Sequence, residues 1–161
     1  MRECVIRSES YKRGTDVTVD AFVDGSFDPA VGRYAYGCLI TDEAGNEVEL
    51  CGCGNDPEGV KQRNVTGEMI AAMLAVKWAL KNGVDEIVIH YDYTGIENWA
   101  TAQWKTNNDL TRSYKETMQA WAKRVKIRFV KVAAHKGIEG NERADGLAKK
   151  GLTCEPGVLP I

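Results

Sequence analysis

The feature that most restricts what this chain can fold into is one run, GEMIAAMLAVKWALKN (Gly67–Asn82), which is apolar nearly all the way round a helix. A solvent-facing helix keeps a polar stripe, so a helix without one must be buried on most sides, here by lying centrally on a sheet. Thr66 precedes it as a candidate N-cap and Gly83 follows as a stop. The continuous apolar part, Met69 to Leu80, is interrupted by Lys77 and falls short of the ~18 residues that suggest a membrane span. The charged start MRECVIRSE also lacks the apolar stretch of a signal peptide. These readings predict a cytoplasmic protein without a membrane partner.

The sheet that such a helix needs is visible on both sides of it. Val17, Val19, Ala21 and Val23 alternate with Thr18, Asp20 and Phe22, the period of a half-buried strand, and this strand is expected to end at Asp24-Gly25. Further strands are expected at Arg33–Thr41 and Glu47–Cys53, joined by DEAGN, a link short enough to force an antiparallel pair. After the long helix, EIVIHYD reads as an interior strand ending at Asp92. Helices at Tyr93–Gln103 and Asp109–Val125, a strand at Lys126–Ala133 and a helix at Asn141–Lys150 complete the expected order. Strands in a run followed by alternating helix and strand indicate one α/β domain with a mixed sheet, and the long helix suffices for a parallel crossover. At 161 residues the chain suits one domain, read as residues 16–152, between a polar N-terminal extension (1–15) and a C-terminal tail (153–161).

Composition removes other classes. With 43% hydrophobic and 27% charged residues, the chain is neither disordered nor fibrous. Cys4, Cys38, Cys51, Cys53 and Cys154 contain no C-x-x-C pair, so zinc is not supported, and reduced core or edge thiols are expected. Cys51 and Cys53, two apart on a strand, point to one face. The net charge is −2, but it is unevenly spread: ten acids face only Arg33 between Asp16 and Glu58, whereas Lys123, Arg124, Lys126, Arg128, Lys131 and Lys136 follow one another without an acid. This asymmetry suggests a cation-binding part and a part that meets phosphate.

Packing does not explain acids at Asp24 and Asp92, each read as ending a strand. Were those strands parallel neighbours, their carboxyl ends would lie about 4.8 Å apart, at the sheet edge where α/β proteins bind ligands. Two carboxylates so close need a cation or a raised pKa. Glu68 is read in the first turn of the apolar helix, and Asp145 four residues after Asn141 on one helical face. Four hard oxygen donors with no thiol nearby select magnesium or manganese over zinc or copper.

Four strings, VDGSFD, NVTGEMIAAMLAV, IHYDYTGIENW and FVKVAAHKGIEGNERADGLAKK, occur in that order between about Asp16 and Leu152. In this order the chain resembles type 1 ribonuclease H. The resemblance implies the ribonuclease H fold, a five-stranded mixed sheet with helices on both faces, and endonucleolytic cleavage of the RNA strand of an RNA/DNA hybrid. It makes Asp24, Glu68, Asp92 and Asp145 the carboxylates for two magnesium or manganese ions, and His135 in AHKG the histidine that assists turnover. Products with 5′-phosphate and 3′-hydroxyl ends would follow.

Substrate contacts are expected from Gly25 and Ser26 beside Asp24, from Asn64 at the family position that reads the groove, and from Trp104 and Lys105, with Trp99 near them. The chain departs from better-known members at Val65, where a second groove-reading amide is common, and at Tyr93, where a small hydroxyl residue often sits. After Trp104-Lys105-Thr106 the segment is too short for the basic handle of some members. These departures bear on affinity rather than chemistry, and a monomer is expected. The rival readings are a catalytically inactive binding module of this fold and a DNA-directed nuclease or integrase of the superfamily; the intact carboxylates oppose the first, and the HKG and NERAD strings the second.

Overall fold

In the computed structural model of the chain, residues 16–132 and 139–157 are described. Strands β1 (Thr18–Asp28), β2 (Arg33–Asp42), β3 (Glu47–Gly54), β4 (Glu86–Tyr91) and β5 (Lys126–Lys131) form one sheet in the order β3-β2-β1-β4-β5. The first three strands pair antiparallel, and β4 lies parallel to both β1 and β5. The helices are α1 (Pro57–Lys61), α2 (Asn64–Lys81), α3 (Gly95–Ala100), α4 (Asp109–Trp121) and α5 (Glu139–Gly151). The expected five-stranded mixed sheet is therefore present.

Strand alternation sorts the core into two layers. Val19, Ala21 and Val23 of β1 and Ile87, Ile89 and Tyr91 of β4 join one apolar cluster with α2, α3 and α4. The intervening side chains face α5, where Gly37 of β2 lets the helix backbone come close: a Cβ there would lie 2.3 Å from the Ala148 amide nitrogen. Helices thus cover both faces. As its sequence requires, α2 is enclosed on nearly all sides, with Met69 through Met73, Ala75, Val76 and Ala79 buried. Gly83, at φ +66°, ends it in the left-handed region that glycine enters without strain. Among the described residues no helix is long and apolar enough to cross a membrane.

Several expected boundaries shift. β1 does not end at Asp24-Gly25 but runs on to Asp28, because β2 continues to pair with it as far as Asp28↔Arg33. Only the parallel pairing with β4 stops, at Phe22↔His90. Thr66 is not the N-cap of α2, which begins two residues earlier at Asn64 after Arg63, whose φ is +54°. Thr66 is instead buried, and its hydroxyl donates to the Gly59 carbonyl at 2.5 Å. The short α1 was not expected; Asp56 caps it by accepting from the Gly59 amide at 2.9 Å, with Pro57 in the first turn.

The third and fourth helices are shorter than Tyr93–Gln103 and Asp109–Val125. Ala102, at φ +66°, breaks the first run, and after Trp121 the chain turns towards β5. α4 starts where its capping box requires: Asn108 accepts from the Thr111 amide at 2.8 Å, while the Thr111 hydroxyl accepts from the Asn108 amide at 3.3 Å. β5 stops at Lys131, and Ala133 lies outside the described residues.

Candidate active site

The site lies where β1 and β4 part. Extending the register Phe22↔His90 by two residues would set Asp24 opposite Asp92, which directly follows the last residue of β4. Both positions lie on the sheet face that α5 covers, and α5 carries Asp145. Glu68 comes from α2 on the opposite side. Because α2 starts at Asn64, Glu68 lies beyond the first turn, so a helix-dipole role is not its explanation.

Glu68 is held by backbone rather than by side chains. Its carboxylate accepts from the Asp92 amide at 2.6 Å and from the Tyr93 amide at 3.3 Å, so the helix acid is tied to the strand end. It is only 3% exposed. Burial pushes its carboxyl up to about 8, opposed by the two amides and reinforced by Asp24 and Asp92. Burial likewise raises Asp24 to about 6; the Gly25 amide, donating at 2.8 Å, opposes this, while Asp145 and Asp92 add to it. Asp24 and Asp145 are close enough for a hydrogen bond between their side chains. The four acids are therefore electrostatically linked, with Asp24 at the centre.

Asp145 also meets a cation from its own helix, Lys149, one turn on, at 3.0 Å. Among the described residues no three Asp, Glu, His or Cys side chains close on one point as they stand. The donor set nevertheless fits a hard divalent cation. All four donors are carboxylates, and two of them are held in environments that disfavour their charge unless positive charge is supplied.

The placement of α5 depends on a stack that the sequence reading missed. His90 Nε2 lies 2.8 Å from Asp20 Oδ1, and its ring stacks on Phe22 with centroids 4.4 Å apart. A Cβ at Gly140 would be 2.7 Å from that Phe22 ring, so the first turn of α5 rests on the stack. Spacing contained the signal: Asp20 and Asp24, like His90 and Asp92, share a strand face.

Of the expected substrate contacts, Gly25 and Asn64 are brought together: a Cβ at Gly25 would lie 2.0 Å from the Asn64 carbonyl oxygen. Ser26 follows on β1, and Asn64 is exposed in the first turn of α2 rather than in a loop. Arg63 beside it was missed; its guanidinium lies 5.4 Å from the centroid of Phe27. Trp104 is 39% exposed and Trp99 5% exposed, and each meets Tyr93, with centroids 6.2 and 5.7 Å away. Tyr93 therefore connects this aromatic group to Asp92, and Lys105 is exposed at its edge. Within the basic run Arg128 is ion-paired with Glu86 at 3.0 Å. His135 and Lys136 lie outside the described residues.

The family model described as RNase H matches residues 16–153. The ribonuclease H of Hyphomonas neptunium is 33% identical over 144 residues, covering 83% of this chain and 91% of that protein. The crystal structure of RNase H1 from Halobacterium salinarum superposes with a TM-score of 0.69 at 25% identity, covering 84% of this chain and 97% of the other. LC11-RNase H1, solved in complex with an RNA/DNA hybrid, gives 0.65 at 19% identity over 84% and 99% of the two chains. A mixed sheet with an acidic edge, a family match over nearly all of the described residues and relatives of similar length agree: the chain belongs to the RNase H family and is a ribonuclease H enzyme.

Proposed function

We propose that the chain cuts within the RNA strand of RNA/DNA hybrids, leaving 5′-phosphate and 3′-hydroxyl ends. The observation that carries this reading is the linkage of Asp24 to Asp145, Asp92 and Glu68 at the point where β1 and β4 separate. The hybrid seen with LC11-RNase H1 supports the choice of substrate.

Asp24, Glu68, Asp92 and Asp145 would hold two magnesium or manganese ions. When bound, such ions lower the pKa of an attacking water and stabilise a departing 3′-oxygen. The chain's own groups do the rest. The Asp92 and Tyr93 amides keep Glu68 turned towards the strand end. Lys149 holds Asp145 until a stronger cation takes its place. Gly25, Ser26 and Asn64 offer a surface for the minor groove, where a 2′-hydroxyl distinguishes RNA from DNA. Trp104 and Lys105 contact the backbone further along. His135 assists proton movement or product release, a role suited to an imidazole because the unperturbed group titrates near neutrality.

The test is to incubate the protein with labelled RNA/DNA hybrid, duplex DNA and duplex RNA, each with magnesium or with chelator. Cutting of the hybrid's RNA strand alone, in magnesium alone, is expected. Equal rates on duplex DNA, or undiminished cutting in chelator, would overturn the reading.

A further inference from the structure

The end of α5 meets the edge strand β3 between two thiols. A Cβ at Gly151 would lie 2.5 Å from the Gly52 carbonyl oxygen and 3.0 Å from its amide nitrogen, so helix and strand backbones touch. Cys51 and Cys53 flank Gly52 and point to the α5 side. Cys51 is registered opposite Gly37, over which Ala144, Leu147 and Ala148 pack.

Beyond the helix the chain turns back onto the same strand. The Cys154 amide donates to the Gly151 carbonyl at 3.0 Å, and the Gly157 amide donates to the Cys53 carbonyl at 3.2 Å. The Cys53 thiol donates to the Cys154 carbonyl at 3.1 Å, which directs it to backbone. The Cys154 thiol donates to the Lys150 carbonyl at 3.9 Å, and it lies near enough to the Cys51 thiol to raise it. Cys51 and Cys154 are both partly exposed, whereas Cys53 and Cys38 are buried.

We propose that Cys51 and Cys154 are a modification site: a low-molecular-weight disulfide such as glutathione disulfide converts them to an internal disulfide that staples the end of α5 to β3. The Cys51 thiolate attacks one sulfur of the oxidant and expels a thiolate. The Cys154 thiolate then attacks the Cys51 sulfur and expels the second. The protein loses two electrons and two protons, and the oxidant is reduced to two thiols. The bond joins positions 51 and 154, 103 residues apart, and long loops are those whose closure constrains the unfolded chain most. Burial and the Cys154 thiol raise the Cys51 thiol while Lys150 lowers it, so exchange quickens with rising pH.

The test treats the reduced full-length protein with glutathione disulfide at pH 8, then counts thiols and maps peptides without reduction. Five free thiols should fall to three with no retained glutathione, and the peptide 34–61 should appear linked to 151–161. Cys51→Ser and Cys154→Ser should each abolish the link and Cys53→Ser should keep it, with Cys51→Ala as a second variant should Cys51→Ser fold poorly. The oxidised form should melt about 5 °C higher, the order expected from constraining a long loop, and reductant should reverse the gain. A link through Cys53 or Cys4, a stable glutathione adduct without a link, or an unchanged thiol count would each overturn the proposal.

Discussion

On one face of the sheet, α2 is buried along most of its length in a cluster shared with α3, α4 and three strands. On the other face α5 buries only Ala144, Leu147, Ala148 and Gly151, and it adds exposed ion pairs from Arg143 to Glu47 and Glu49. Each face delivers one carboxylate to the strand ends. Glu68 arrives from the apolar side already fixed by two amides, whereas Asp145 arrives from the polar side paired with an exposed lysine of its own helix. The contrast separates a fixed half of the site from an adjustable one, because packing holds α2 while α5 depends on close backbone approach and surface charge.

The largest effect should come from the acid at which both halves meet. Asp24→Asn should lower the rate of hybrid cleavage by at least about 10³-fold, the scale for losing one preorganised electrostatic contact, while circular dichroism stays unchanged. A variant that keeps most of its activity would show that Asp24 serves the fold alone.

Stability variants compare the faces directly. Ile70→Ala, at a fully buried α2 position, should cost about 4 kcal/mol in urea unfolding, whereas Leu147→Ala on α5, 8% exposed, should cost about 2 kcal/mol. Equal costs would break the comparison.

A third test uses pH. Glu68 is raised from its usual 4.5 to about 8 in the folded protein, so the stability linked to its proton is fully present below pH 4.5 and lost as pH rises through 8. Asp24, raised to about 6, acts in the same direction over a lower range. Metal-free protein should therefore become less stable between pH 5 and 8. Glu68→Gln, which still offers a carbonyl to the two amides, should flatten that slope and gain about 2 kcal/mol at pH 8. Magnesium added to the unchanged chain should flatten it too. A slope that survives the substitution would assign the effect to other groups.

The smallest effect is a gain. A Cβ at Gly146 would meet nothing within 4 Å, so Gly146→Ala should stabilise α5 by about 0.5–1 kcal/mol through helix propensity, read as a higher melting temperature. A loss would mean that α5 needs its glycine for movement or for an unseen contact.

Much of this is legible in the amino-acid sequence. The apolar run after Thr66 demands a buried helix because no polar stripe could face water, and alternation in β1 with the interior-strand run of β4 implies a sheet with acids at Asp24 and Asp92. The start of α2 was misread because Thr66 has the chemistry of an N-cap, but its hydroxyl is used on Gly59. The end of β1 was misread because Asp-Gly is also a turn signal, whereas here Gly25 admits the backbone of α2. For His90, spacing gives the strand face it shares with Asp92 but not its partner Asp20, 70 residues away.

The order of residues carries the periods: most segments of helix and strand, which faces are apolar, and where four acids fall among them. These follow from side-chain spacing and propensity within a few turns of chain. Packing of the layers is what makes β4 leave β1 after Phe22 while β2 continues, sets Glu68 on the amides of Asp92 and Tyr93, and brings Asp145 beside Asp24. Each of those joins residues far apart in sequence, and their energies arise from burial and charge that exist only once the layers have closed.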